Sequence, residues 1–255
     1  MLKNEHLEDW ITSNFPAFET KAAMEAESEK RQYDLSKSEI KAHRKLGSKL
    51  YECNEDEPCG DASCPVCFRE YRKQIIYDIL QSIENKKDYC IITIIFYSDA
   101  MTDDDVTKSN ILNIKNKLYQ QLYRIGFKDP IVGSIEIDFH TDIEKWMPHF
   151  HLLVKKDHEK IELLEKYSHR KNNLNTRDGV IDKPMKVQDL EDPIEQLSYL
   201  FKSYAKEIRS YINDEGKRRT KPYRLTECRH QLYLYIRSIL KHTGIMFTYG
   251  SNKCK

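Results

Sequence analysis

Residues 148–154 read Pro148-His149-Phe150-His151-Leu152-Leu153-Val154. The run is apolar except for two histidines two positions apart, and its length and content predict a strand. Side chains alternate faces along a strand, so His149 and His151 share one face while Phe150 and Leu152 share the other. Two imidazoles on one face of a largely apolar strand need something to use their nitrogens, and a divalent metal ion would do so. A pair of solvent-facing histidines on a half-buried sheet would give the same spacing.

Just upstream, Gly133-Ser134-Ile135-Glu136-Ile137-Asp138-Phe139 alternates apolar and polar residues and predicts a second strand. The polar stretch Thr141-Asp142-Ile143-Glu144-Lys145 suits a hairpin loop between the two. Pairing around that loop is expected to bring Glu136 opposite His151 and Asp138 opposite His149, all on one face. Two imidazoles with one or two carboxylates, and positions left open, suit Mg or Mn holding a phosphate. Glu136 is the expected third ligand, with Asp138 as the alternative. A slip of one residue in register would take both away from the site.

Farther on, Pro193 to Ile212 reads as a helix, in which Tyr199 and Lys202 are three residues apart and share a face. A tyrosine can attack a phosphodiester if a metal polarises the phosphate and a nearby cation shares the charge. The chain has 16 tyrosines, and an aromatic at helical spacing is more often core than catalytic.

In this order, His149-Phe150-His151 and then Tyr199-Leu200-Phe201-Lys202 resemble the HUH endonucleases, which carry a His-hydrophobic-His metal strand followed by a Tyr-x-x-Lys helix. Tyr89 to Phe96, an apolar strand ending in Thr93-Ile94-Ile95-Phe96, looks like the first motif of the same proteins, and Glu136 stands where they carry an acid. The nearest likeness is to the rolling-circle replication initiators of small bacterial plasmids and their transposase relatives, over roughly residues 88 to 210. The resemblance implies a ferredoxin-like core. It also implies Tyr199 as nucleophile, Lys202 as its cation, and His149, His151 and Glu136 as Mg or Mn ligands. The implied partners are single-stranded or hairpin DNA at a replication origin, and host helicase and polymerase. Two departures stand out. Ser198 occupies the place where many relatives have lysine. A second tyrosine, Tyr204, lies five residues on, where two-tyrosine members use four; five residues turn a helix by about 500°, so the two would diverge. Tyr204 is the alternative nucleophile.

Cys53, Cys59, Cys64 and Cys67 fall within fifteen positions, the last two in a Cys64-Pro65-Val66-Cys67 knuckle. Four thiolates at this spacing suit tetrahedral zinc. The rival readings are a three-cysteine site completed by His43, or thiols without metal. No secretory signal opens the chain and no long apolar run interrupts it. A reducing, cytoplasmic location without membrane contact is therefore expected, which disfavours disulfides. Cys90, Cys228 and Cys254 are isolated.

The 255 residues suffice for one sizeable domain with an extension, or two small ones. Charged residues make up 33% yet the formal net charge is only +1, weak support for a nucleic-acid binder. Two local runs are basic, Lys217-Arg218-Arg219-Thr220-Lys221-Pro222-Tyr223-Arg224 and Tyr167 to Lys171, and each would serve equally as a phosphate contact or a solvated loop. Helices are expected over Phe68–Asn85, from Thr102 to about Ile125, over Glu159–Tyr167 and over Leu225–Lys241. Lys171 to Asp189, with Gly179 and Pro184, reads as a polar connection with room for a short edge strand. The fold class is α+β: an antiparallel sheet with helices on one face over 88–255, behind a helical N-terminal region over 1–87 that carries the zinc loop. The activity expected is nicking and rejoining of single-stranded origin DNA through a 5′-phosphotyrosine link. The alternatives are a transposase of the same superfamily and a non-catalytic, zinc-stabilised nucleic-acid-binding protein.

Overall fold

The computed structural model describes residues 4–14, 18–170 and 183–250, so Lys171, Gly179 and Cys254 lie outside the described residues. In chain order the elements are α1 (Asn4–Asn14), α2 (Lys21–Ser36), α3 (Lys41–Tyr51), α4 (Pro65–Ser82), β1 (Tyr89–Ile95), α5 (Lys108–Ile125), β2 (Ile131–His140), β3 (Lys145–Lys155), α6 (His158–Ser168), β4 (Met185–Asp189), α7 (Pro193–Leu200), β5 (Lys206–Ile212), β6 (Arg218–Arg224), α8 (Glu227–Ile245) and β7 (Met246–Tyr249). They form two compact units. A helical unit gathers residues 1–87, 190–203 and 227–242, and a sheet unit gathers 88–189, 204–226 and 243–255. Residues 190–203 and 227–242, expected with the second domain, group with the first.

The helix ends follow local chemistry. Thr20, Thr107, Asp157 and Asp192 stand at N-caps, each side chain accepting a backbone N–H two or three residues into its helix. Pro65 and Pro193 occupy first-turn positions that need no N–H donor. Gly126 ends α5 with φ +86°, a conformation open to glycine. The expected start of α5 at Thr102 is too early: Thr102 and Asp105 close a turn on each other, and Thr107 is the cap.

The seven strands make one sheet in the order β4-β1-β3-β2-β5-β6, with β7 also beside β2. Pairs among β1 to β4 are antiparallel. At the far end of β2, however, Phe139 and His140 pair in parallel with Glu207 and Ile208, so the sheet is mixed rather than wholly antiparallel. The cause is β5. The helix expected over Pro193–Ile212 stops at Leu200, and Lys206 to Ile212 forms a strand that turns through Asn213–Gly216 into β6. Gly216 takes φ +72° there. The turn-forming Asn-Asp-Glu-Gly run between two strand-like segments is the signal for this hairpin. Among the described residues no helix is long and apolar enough to cross a membrane.

Burial sets the register of β2 on β3. The expected pairing would set Met147 opposite His140 and Trp146 opposite Thr141. Instead the loop is four residues, with Glu144 at φ +52°, and Phe139 pairs with Trp146. Trp146 is fully buried, 5.4 Å from the Phe139 ring centroid, and its indole donates to Asp103 at 2.6 Å. The contact this register gains over the expected one is the packing of Trp146 edge-to-face on Phe139.

Candidate metal centres

The first centre lies in the sheet unit. The shorter loop slides β2 by two residues against the expected register: Glu136 pairs with His149, Ser134 with His151, and Asp138 with Met147. Because a slip of two preserves faces, the carboxylate and both imidazoles still converge. One ligand atom each from Glu136, His149 and His151 lies within 4.8 Å of the others. Glu136 Oε2 is 3.2 Å from His149 Nε2 and 3.5 Å from His151 Nε2, and the three side chains are 8, 11 and 7% exposed.

The other ring nitrogens face outward to fixed partners. His149 Nδ1 lies 3.2 Å from the Met147 carbonyl oxygen, and His151 Nδ1 lies 3.0 Å from Thr93 Oγ1 on β1. A carbonyl only accepts, so His149 Nδ1 carries the proton there, and in the neutral ring the Nε2 lone pair is left for a metal ion. This arrangement of inward Nε2 and anchored Nδ1 is that of histidines that bind metals. Two nitrogens and a carboxylate could hold a divalent metal ion. Thr93 was legible only as part of the first strand motif; its role on His151 follows from strand pairing. Asp138 is the lesser carboxylate. Its Oδ2 is 3.9 Å from His149 Nε2, while Oδ1 accepts the Lys206 N–H at 2.7 Å.

The second centre lies in the helical unit, where Cys53 follows α3, Cys64 precedes α4, Cys67 sits in the first turn of α4, and Cys59 lies in the loop between. Their sulfurs are 3.5 Å (Cys53–Cys67), 3.5 Å (Cys53–Cys64) and 3.7 Å (Cys59–Cys67) apart, far beyond a disulfide bond. Sulfurs at the corners of a tetrahedron with Zn–S of about 2.3 Å would be about 3.8 Å apart. The four-cysteine group could therefore hold a structural zinc. Backbone N–H groups of Cys59 and Gly60 donate to the Cys53 and Cys67 sulfurs at 3.3 and 3.2 Å. The Cys64 thiol, also directed at Cys67, pulls the Cys67 pKa down, whereas burial pushes that of Cys59 up.

Asp61 stiffens this loop. It accepts the Ser63 N–H and hydroxyl, the Lys49 ammonium and the Ser238 hydroxyl, all within 2.7–2.9 Å. The Asp-x-Ser spacing was its only sequence signal. His43 is elsewhere, 2.9 Å from the Ser38 hydroxyl and tilted against the Tyr235 ring, so it does not complete the cluster.

Tyr199 is on α7 in the helical unit, about half exposed, and Lys202 lies just past the helix with its ammonium 5.0 Å from the Tyr199 ring centroid. Tyr204 belongs to the sheet unit, 45% exposed, with the Lys206 ammonium 4.4 Å from its ring. The divergence expected for two tyrosines on one helix does not apply, because the helix ends between them. No protein-family model, no curated protein and no solved structure matches this chain.

Proposed function

We propose that the chain is a metal-dependent DNA nicking and joining enzyme of the HUH endonuclease type, acting as a rolling-circle replication initiator. The observation that carries this reading is the convergence of Glu136, His149 and His151, with both Nδ1 atoms tied back. The strand order adds support. β1-α5-β2-β3-α6-β4, paired antiparallel as β4-β1-β3-β2, has the sequence of elements of a ferredoxin-like core, with β5, β6 and β7 added.

In this reading Glu136, His149 and His151 hold Mg or Mn, which would polarise the scissile phosphate and offset charge on the leaving oxygen. A tyrosine oxygen bonds to phosphorus as the bond to the 3′-oxygen breaks. The phenol releases its proton and the 3′-oxygen takes one up as a hydroxyl. The 5′-phosphotyrosine keeps the energy of the broken bond, so a later 3′-hydroxyl can reverse the step without ATP. Tyr199 is the proposed nucleophile, with Lys202 sharing charge. The cysteine centre, filled by zinc, would hold the loop between α3 and α4.

One observation favours a second choice of residue. Tyr204 lies two positions before Lys206, whose N–H is bound by Asp138 beside the triad. The test is covalent capture on labelled hairpin and single-stranded oligonucleotides with Mn, and mass-spectrometric mapping of the adduct. Tyr199→Phe should keep Mn binding and lose the adduct, because phenylalanine has no oxygen to bond to phosphorus. An adduct mapped to Tyr204 keeps the mechanism and moves the nucleophile. No adduct on any such substrate would leave a zinc-stabilised nucleic-acid-binding protein as the better reading.

A further inference from the structure

Neither metal centre uses the β5–β6 hairpin. All seven residues of β6 are exposed, and β6 is the outer strand of the sheet. Its four charges, Arg218, Arg219, Lys221 and Arg224, are all positive. Cations and Pro222 guard an edge strand, but the basic residues extend to Lys206 and Arg209 on β5, which is not an edge. From Lys206 to Arg224 there are seven basic and three acidic side chains, in a chain whose formal net charge is only +1.

The register divides these cations between two faces. Arg209 pairs with Lys221 and Tyr211 with Arg219 on one face; Lys206 pairs with Arg224 and Ile212 with Arg218 on the other. Each face thus carries three cations. Arg209 and Lys221 lie 4.6 and 5.6 Å from the Tyr223 ring centroid, which holds them along the ribbon, and Arg209 also pairs with Glu207 at 2.8 Å. The hairpin is tied to the β2–β3 loop at two levels: near its turn Arg218 pairs with Asp142, and nearer its base the Thr141 N–H donates to the Ile208 carbonyl at 3.1 Å.

A ribbon with cations on both faces fits a ligand that presents anions on both sides of it. The major groove of B-form DNA, about 12 Å wide, admits a two-stranded ribbon and has a phosphate backbone along each wall. A single strand or a flat anionic surface would engage one face only. We propose that the β5–β6 ribbon is a duplex-DNA arm that enters the major groove, its two cationic faces on the phosphates of opposite walls. The choice of DNA rests on the function proposed above, whereas the surface itself does not depend on either metal centre.

The test is fluorescence anisotropy of the full chain, without added Mg or Mn, on a labelled DNA duplex, the matching single strand and an RNA duplex. Arg219→Ala/Lys221→Ala/Arg224→Ala should weaken duplex-DNA binding at least tenfold, with the slope of log affinity on log salt reduced by about 2–3, near 0.9 per lost phosphate contact. The RNA duplex, whose major groove is deep and narrow, should bind weakly and change little. Arg219→Glu alone, at an exposed position, is the second probe and should act in the same direction. Unchanged duplex-DNA binding by both variants would overturn the arm, as would equal losses on all three nucleic acids. Absence of a tyrosine adduct in the wild type would sink the nuclease reading and leave the duplex result standing.

Discussion

The Nδ1 of His149 lies 3.2 Å from the carbonyl oxygen of Met147, two residues back on the same strand. That contact orients the ring so that Nε2, not Nδ1, faces Glu136 and His151. Thr93 does the same for His151 from the neighbouring strand. The sheet thereby supplies the outer support of the centre, one backbone carbonyl and one side-chain hydroxyl, as well as the ligands.

His149→Ala, His151→Ala and Glu136→Ala should each lower Mn affinity at least about 100-fold, since each removes a direct ligand. Thermal melting should stay near that of the wild type. Thr93→Val, which keeps the shape of the side chain and removes the hydroxyl, should weaken Mn binding by about 10–100-fold. Titration followed by Mn electron paramagnetic resonance reads all four. If Asp138→Ala abolishes binding while Glu136→Ala spares it, Asp138 is the third ligand.

The cysteine centre predicts about one zinc per chain by elemental analysis, retained through purification. Cys64→Ser and Cys67→Ser should release it and lower the melting temperature, because the loop has little apolar surface to hold it otherwise. A metal-free protein that melts like the purified one would argue for plain thiols.

Gly133 has no room for a side chain. A Cβ there would stand 2.0 Å from the His151 carbonyl oxygen and 2.9 Å from Leu152 Cα, both backbone atoms of β3. Gly133→Ala must therefore push β2 off β3 at the metal strand. A loss of at least about 3 kcal/mol in denaturant unfolding is expected, at the upper end of overpacking effects. Mn affinity should fall with it. A Gly133→Ala protein of native stability would contradict this pairing.

Acid should loosen the helical unit through Glu8. Its carboxylate accepts from both Arg69 terminal nitrogens at 2.9 and 2.7 Å and from Lys73 at 2.6 Å, and the Arg69 guanidinium chiefly holds its pKa down, to about 2 from the usual 4.5. The unfolded chain thus binds a proton here that the folded one refuses between these values. The stabilisation is complete above the unfolded pKa and is lost as pH falls toward 2. Glu8→Gln should be less stable than the wild type at neutral pH. The gap between them should close in acid melts; a gap that persists at the acid end would rule Glu8 out as its source.

Much of the architecture was legible. Apolar runs marked β1 and β3, alternation marked β2, and helical patterning marked α4, α6 and α8 to within four residues, whereas the start of α5 was placed six residues early. What failed was local chemistry that two structures share. Lys206 to Ile212 carries apolar residues at spacings a helix also accepts, and only pairing with β6 and with the end of β2 makes it a strand. The basic run after Gly216 read equally as a phosphate contact or a solvated loop, and that it forms a strand was not legible. β7 is four residues long, too short for periodicity to mark.

The sequence by itself determined which side chains share a face: His149, His151, Glu136 and Asp138 are related by even spacings within their strands, and a two-residue slip cannot separate them. It also determined the cysteine set, through spacing and knuckle. Only the tertiary structure decided which carboxylate meets the histidines, because register depends on the burial of Trp146 against Phe139, a contact no single strand encodes. It likewise decided the ring orientations, since Met147 and Thr93 become partners only when the strands are pleated and paired. And it decided that Tyr199 and Tyr204 fall in different compact units, because the end of α7 and the pairing of β5 are set by neighbours distant in the chain.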